Sequence, residues 1–441
     1  MDEKIVILGN GFDLRHFLPT SYNHLISILC EIEKLPEEKE FVSFSDLFDG
    51  VFKEKNEWFY TQINEYYQTE NFIFNVEEIQ SIRTRLKDNS WFQYFKSVDE
   101  NKIETWIDFE TEIERVLVSV LEYFNDFNNG LFESKPRYGL MERSEPGFFA
   151  PKDSHQKHFR NRLQIFLLKS FKFLSEKSNT YDIDNMFVVS IGKEIQYYRE
   201  KDFFNFIYRS LEDFVGIFND YLINVVGEFY NHLKEIMKED FISKNNKFLF
   251  TKVDRIFSFN YTSTYINLYR DGVVKNSLIR AIDNKLIAYQ DLVHGNTVAD
   301  WKNNVDNLKI VLGVDDIHSS LKKNKLFQFT KYFQKLHKQT DYLFLKDFQK
   351  TNSFKTRVRY IFYFWGHSLD YSDRQYIWEV FDLVENSEGS KIKIFYHSIA
   401  AKGDQLKNLL GIIDKEKIEK FMKDKTLEFI ESTSDNLFNE L

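Results

Sequence analysis

The sequence predicts an α/β protein: a doubly wound, mostly parallel sheet with a large all-helical insertion after strand one. Three observations predict it. Short apolar runs rich in β-branched residues recur without alternating, as strands buried on both faces do. Segments of helical periodicity separate several of them. The runs end in glycines or small polar residues, and doubly wound sheets bind ligands beyond the carboxyl ends of their strands.

The first run is Ile5-Val6-Ile7-Leu8. It stops at Gly9-Asn10-Gly11-Phe12-Asp13, a turn whose glycines let backbone N–H groups approach a ligand, usually a phosphate. Ser21 can cap a helix over 22–34, with Leu25, Ile28, Leu29 and Ile32 at helical spacing. From there to residue 250 the strand signals vanish. Residues 111–127 are amphipathic and helical, and 202–237 read as one long helix or a pair bent at Gly216 and Gly227. Pro136, Pro146 and Pro151 make 135–158 a long loop, either a lid or disordered. Trp106, Asp108 and Glu110 fit a helix start, with the indole in the core.

Strand signals return at 255–261, within 286–296, and at 308–314, 360–368 and 391–397. Residues 1–30 and 250–441 therefore read as a discontinuous sheet domain and 31–249 as the insertion. The strand ends carry Ser258-Phe259-Asn260-Tyr261-Thr262, His294-Gly295-Asn296, Gly313-Val314-Asp315-Asp316 and Gly366-His367-Ser368-Leu369-Asp370. Each has a plain alternative. Asn260 can be a turn or cap residue, His294 a satisfied core histidine, and His367 with Ser368 a helix cap. Placed together at strand ends, they point to one ligand site. A dehydrogenase fingerprint fails, because Leu14 stands where the third glycine belongs.

Composition sets outer bounds. A chain of 441 residues suits two lobes. It is 43% apolar, yet no run approaches the ~18–20 residues of a membrane span. Asp2 and Glu3 stand where a secretory leader would be basic, so a cytoplasmic protein is expected. Cys30 is the single cysteine, which excludes an internal disulfide and a cysteine-rich zinc site. No metal is expected. A net charge of −9 argues against a nucleic-acid partner.

"LGNGFDLRHFLPTSY", "FSFNYTSTY", "LVHGN" and "GHSLDYSD" resemble the AbiH family of phage abortive-infection proteins, as do "WIDFE" (106–110) and "FTKYFQKLHKQ" (329–339). Phe17 departs from the family pattern, which favours glycine before "LPTSY". The same blocks are distantly similar to the Rossmann/sirtuin-like NAD-binding fold. That resemblance implies NAD+ or a related nucleotide as ligand, with Gly9, Asn10, Gly11, Phe12 and Asp13 in the phosphate loop. It implies Asn260 orienting water and ribose, His294 as general base, and Ser258 and Gly295 beside them. Gly366, His367 and Ser368 would form the adenosine-side loop. Thr262 stands where sirtuins have an acid, and the zinc-ribbon cysteines are absent, which argues against an acyl-lysine deacylase.

The expected activity is hydrolysis of NAD+ to nicotinamide and ADP-ribose by an antiviral effector, with a phage-derived trigger and a homo-oligomer as possible partners. Two alternatives stand beside it. One is a nucleotide-binding sensor that never turns over. The other is a metal-dependent nuclease using Asp315, Asp316, Asp370 and Asp373.

Overall fold

The computed structural model describes residues 2–98, 106–128, 141–142, 166–177, 180–191, 194–244, 250, 252–270, 289–293, 295, 297–303, 307–314, 326–340, 344–345, 348 and 358–441. His294, Asn296, Asp315, Asp316 and nearly all of 135–158 lie outside them, as do the side chains of Trp106 and Asp108.

Six strands form one sheet: β1 (Asp2–Leu8), β2 (Arg255–Ser258), β3 (Tyr289–Leu292), β4 (Arg359–Trp365), β5 (Lys391–Tyr396) and β6 (Leu427–Glu431). Their order is β3-β2-β1-β4-β5-β6, and every pairing is parallel. The chain leaves β1 on one side and returns on the other. Strand order therefore reverses between β1 and β4, which makes a crevice at their carboxyl ends.

The sheet is covered on both faces, which is why its strands do not alternate. Along β1, Ile5 and Ile7 join one apolar cluster while Val6 and Leu8 join another. Along β4, Tyr360, Phe362 and Phe364 take the first side, and Tyr363 and Trp365 the second. Ile377, Val380, Phe381 and Leu409 cover the first face; Phe12, Phe250, Leu437 and Leu441 cover the second.

Between β1 and β2 the chain is mainly helical. Helix α1 (Asn10–Arg15) follows β1 directly, and Ser21 caps α2 (Tyr22–Lys34) by accepting from the His24 amide at 3.2 Å. Helix α3 (Trp106–Asn128) contains the predicted 111–127 segment. The predicted 202–237 segment becomes α4 (Glu200–Tyr221), a π-helical turn at Leu222–Val226, and α5 (Gly227–Lys244). The bend thus sits just before Gly227. The expectation of an all-helical insertion is corrected by short antiparallel pairs. Val42–Ser43 pairs with Ile73–Phe74, Leu174–Lys177 with Thr180–Ile183, and Val188–Ile191 with Glu194–Tyr198.

Two further expectations are corrected. Among the described residues, 308–314 join no sheet; Val314 makes an isolated bridge to Thr330. Their backbone is satisfied instead by helix α6 (Lys331–Lys338). Gln334 accepts from the Leu312 amide at 3.0 Å and donates to the Leu312 carbonyl at 2.9 Å, and Lys338 Nζ donates to the Ile310 carbonyl at 2.6 Å. An apolar run supplied with hydrogen bonds by side chains needs no neighbouring strand. Conversely, β6 escaped notice. It is an edge strand whose "LEFIE" is only partly buried.

Helix α6 is inverted. It buries Lys331, Gln334, Lys335 and Lys338 and exposes Tyr332 and Leu336, the latter 53% accessible. The polar atoms that replace the strand ladder for 308–314 must face inward, so the apolar positions are turned out. Burial pushes the Lys338 amine down to about 8, against the pull of Glu212.

Phe362 is fully buried on the sheet, so Phe362→Ala should cost about 3–5 kcal/mol, while Leu336→Ala on the exposed face of α6 should stay within about 0.5 kcal/mol. Denaturant midpoints compare the two. Equal losses would count against the inverted orientation of α6.

Candidate functional site

At the β1/β4 crevice two strand-end turns meet backbone to backbone. Gly9 N–H donates to the Trp365 carbonyl at 3.0 Å and Gly11 N–H to the Gly366 carbonyl at 2.9 Å. A Cβ on Gly9 would lie 2.5 Å from the Gly366 carbonyl oxygen, and one on Gly366 would lie 2.4 Å from the Phe12 nitrogen. Gly366 also holds φ +66, where an L side chain is strained. The glycines therefore have a structural duty: they let β1 and β4 end against each other. The two amides expected to meet a phosphate are already bonded within the protein.

Beside this contact lies a cavity of about 490 Å3, well within the size range of small-molecule sites. Of the residues singled out in the sequence, Gly9, Asn10, Gly11, Asp13, Asn260, Gly366, His367 and Ser368 line it. Three do not. Phe12 turns into the core against Trp365, with ring centroids 5.0 Å apart. Ser258 lies beneath the cavity, its Oγ accepting from the Asn260 amide at 3.3 Å. Gly295, at φ +84, backs onto Lys309, whose carbonyl oxygen would be 1.9 Å from an added Cβ. His294 lies outside the described residues.

Asp13 is fully buried where α1 faces the end of β2. Thr262 Oγ1 donates to its Oδ2 at 2.5 Å, Thr264 donates to Thr262 at 3.1 Å, and the Tyr230 hydroxyl joins Thr264 at 2.9 Å. Burial pushes the Asp13 carboxyl from 3.8 up to about 6, although Thr262, Thr264 and Asn260 pull the other way. Asp13 and Thr262, from α1 and from the end of β2, thus meet at the cavity wall. Asn260 is 5% exposed and leans toward Asp13 without closing a hydrogen bond. Its amide oxygen and nitrogen, and Asp13 Oδ1, have no hydrogen-bond partner. Buried polar atoms seldom stay unpaired, and these border a cavity.

Residues that the sequence did not assign to a dinucleotide site also border the cavity, among them Asp373, which it suggested only for a metal-dependent nuclease. Lys331 Nζ meets Glu110 at 2.6 Å, joining α6 to α3. Burial pulls the Lys331 amine down, but Glu110 and Asp373 more than offset it and hold it above its usual range. Asp373 lies 3.6 Å from His367 Nε2. His367 Nδ1 accepts from the Leu369 amide at 3.0 Å, which leaves the proton on Nε2, facing Asp373. Burial lowers the His367 pKa further than Asp373 and Asp370 raise it, so the ring is neutral near pH 7. Gln405 anchors the turn by donating to the His367 and Phe395 carbonyls, each at 3.1 Å. Thr20 fixes Asn10 at 2.8 Å. Glu110 and Lys331 sit in "WIDFE" and "FTKYFQKLHKQ"; the available signal was a charged residue on the buried side of a helix. Phe17 adopts φ +53, which explains why glycine suits that position.

Asp370 accepts from the Ser372 amide at 2.9 Å. Among the described residues, no group of three or more His, Cys, Asp or Glu is placed to hold a metal ion, and no helix is long and apolar enough to cross a membrane.

The chain is an α/β protein whose parallel sheet carries, at its strand-order reversal, a cavity bordered by unpaired polar atoms. More particularly, residues 5–396 match the family model of bacteriophage abortive infection AbiH, and the chain belongs to that family. No curated protein and no solved structure matches it.

The raised Asp13 pKa has a signed consequence. Between about pH 4 and pH 6 the folded chain holds a proton that the unfolded chain has lost, so stability falls as pH rises through that window and then levels off. The loss amounts to about 3 kcal/mol. Asp13→Asn should remove it. Unfolding free energies measured at pH 4 and pH 7 should differ by about 3 kcal/mol more in the wild type than in the variant. Parallel pH profiles would refute this account of Asp13.

Proposed function

We propose that this AbiH-family protein is an antiviral effector that binds NAD+ in the strand-end cavity and hydrolyses it to nicotinamide and ADP-ribose. The observation that carries the reading is the pair of unsatisfied groups, Asn260 and Asp13 Oδ1, bordering a nucleotide-sized cavity at the strand-order reversal. The β3-β2-β1-β4-β5-β6 order supports it, being the order of Rossmann sheets that hold dinucleotides at this point.

The nicotinamide–ribose bond breaks through an oxocarbenium-like transition state, and nicotinamide leaves neutral. The protein must hold the ribose, admit one water and accept a proton. The Asn260 amide grips that water or a ribose hydroxyl. His294 takes the proton, as an imidazole titrating near neutrality can. The pyrophosphate rests on the turn at Gly9–Gly11, with contact falling to Asn10 because the two glycine amides are spent. Gly366, His367 and Ser368 face the adenosine side. Carboxylates around the ribose stabilise the developing positive charge. Activation by a phage-derived component, assembly into homo-oligomers and a cytoplasmic setting belong to the same reading.

A second reading is a nucleotide-gated sensor that never turns over. Thr262, at the position of the sirtuin acid, supports it.

Incubation of the purified protein with NAD+, followed by chromatographic detection of nicotinamide, separates the two. Release is expected from the wild type. Asn260→Ala and His294→Ala should each slow it about 10²–10⁴-fold with unchanged circular dichroism. Undiminished release by both variants would overturn the assignment, and NAD+ binding without release would select the sensor.

A further inference from the structure

Two residues on the cavity wall present polar atoms that nothing in the fold meets. Asp13 is fully buried on α1, and Asn260, 5% exposed, follows β2. Asp13 Oδ1, and both the amide oxygen and the amide nitrogen of Asn260, find no hydrogen-bond partner among the described residues. Both side chains border the cavity. The other carboxylate oxygen of Asp13 ends a chain of hydroxyls whose direction can be read. Thr262 donates to Oδ2 at 2.5 Å, and Thr264 donates to Thr262 at 3.1 Å, so the Thr264 proton is spent. The Tyr230 hydroxyl, 2.9 Å from Thr264, is then the donor of that pair. Every proton along the chain points toward the carboxylate, and Oδ1 is left as an acceptor held in place.

The chemistry of a ligand follows from what these atoms lack. Asp13 Oδ1 and the Asn260 oxygen each need a donor, and the Asn260 nitrogen needs an acceptor. An ammonium group offers donors and no acceptor, and would leave the Asn260 nitrogen unpaired. A phosphate or carboxylate offers no donor when ionised, and would face Asp13 charge to charge. A vicinal diol offers two O–H donors and two oxygen acceptors on one ring, and can pair all three atoms.

We propose that Asp13 and Asn260 together clamp the 2′,3′-diol of a ribose, and so make the cavity specific for nucleotides whose ribose at this point carries both hydroxyls free. The inference rests on the NAD+ reading above and deepens it. The diol is that of the nicotinamide ribose, because the pair lies toward β2, whereas Gly366 to Ser368, which that reading gives to the adenosine side, follow β4 on the other flank of β1. The 2′-carbon adjoins the anomeric carbon, where positive charge develops, so the carboxylate's contact strengthens as the glycosidic bond breaks.

The test is calorimetric titration near pH 7, where Asp13, pushed up to about 6 by burial, is largely ionised. Two ligands are compared. One is carbocyclic NAD+, in which a dihydroxycyclopentane replaces the nicotinamide ribose so that the bond to nicotinamide persists; the other is the same compound without the two hydroxyls. The wild type should bind the dihydroxy compound about tenfold or more tightly, the scale of a hydrogen bond to a charged group. Asp13→Asn and Asn260→Ala should each shrink that ratio several-fold, with the compound lacking hydroxyls binding as before; a merely structural loss would weaken the two ligands alike. Asn260→Ala removes a side chain that no hydrogen bond ties to the fold, so it decides together with the wild-type ratio should Asp13→Asn fail to fold. Equal affinities in a wild type that binds both compounds would overturn the diol clamp and leave the nucleotide site standing. A ratio unchanged in either variant would overturn the assignment to that residue. Failure of both compounds to bind would overturn the NAD+ reading and this inference with it.

Discussion

The cavity depends on a backbone contact between two turns, Gly9–Gly11 after β1 and Gly366–His367 after β4. Parallel strands can end side by side only if the chains leaving them do not collide. Here the collision is avoided by removing side chains from both, and each turn becomes the other's hydrogen-bond partner. Because the contact is backbone on backbone, it fixes the turns without using a side chain. Asn10, Asp13, His367 and Ser368 then project from a rigid base. Asn260 is brought in by β2, which extends the ladder as Phe259 N–H donates to the Leu8 carbonyl at 2.8 Å.

A second constraint is the way polar side chains do backbone work. Gln334 and Lys338 stand in for a strand beside residues 308–314, and Lys331, one turn earlier on the same helix, reaches Glu110 at the cavity wall. One face of α6 therefore serves both the core and the site. Arg85 plays a similar part elsewhere, joining Asp213 at 2.8 Å and Asp220 at 2.9 Å. Lys331 with Glu110, and Arg85 with its two aspartates, hold buried charge in paired form, which is how proteins tolerate it.

Five of the six sheet strands were legible, most plainly where a strand buried on both faces writes an unbroken apolar run, as in Ile5–Leu8 and Tyr360–Trp365. The β6 edge strand writes no such run. The segment 308–314 writes the same run for a different reason, burial against helices, and composition alone cannot tell the two apart. Among the residues that border the cavity, those that leave strands in order were legible: Gly9, Asn10, Gly11, Asp13, Asn260, and Gly366 to Ser368. Lys331 was not, and Glu110 was read only as part of a helix start, because their ion pair joins segments far apart in sequence and no local pattern announces it; Asp373 was suggested only for metal-dependent chemistry. The glycines were noticed for the right positions, yet two of the amides meant for a ligand serve the fold.

The position of β1 also bears on how the chain is made. This apolar strand emerges first, but its two neighbours are β2 at Arg255–Ser258 and β4 at Arg359–Trp365. At a ribosomal pace of roughly 5–20 residues per second, β1 waits on the order of tens of seconds with both edges open. Contacts so distant along the chain are slow to form and leave sticky intermediates exposed. An interrupted translation product also lacks a finished cavity, because Gly366 to Ser368 and Asp373, which border it, come from the last fifth of the chain.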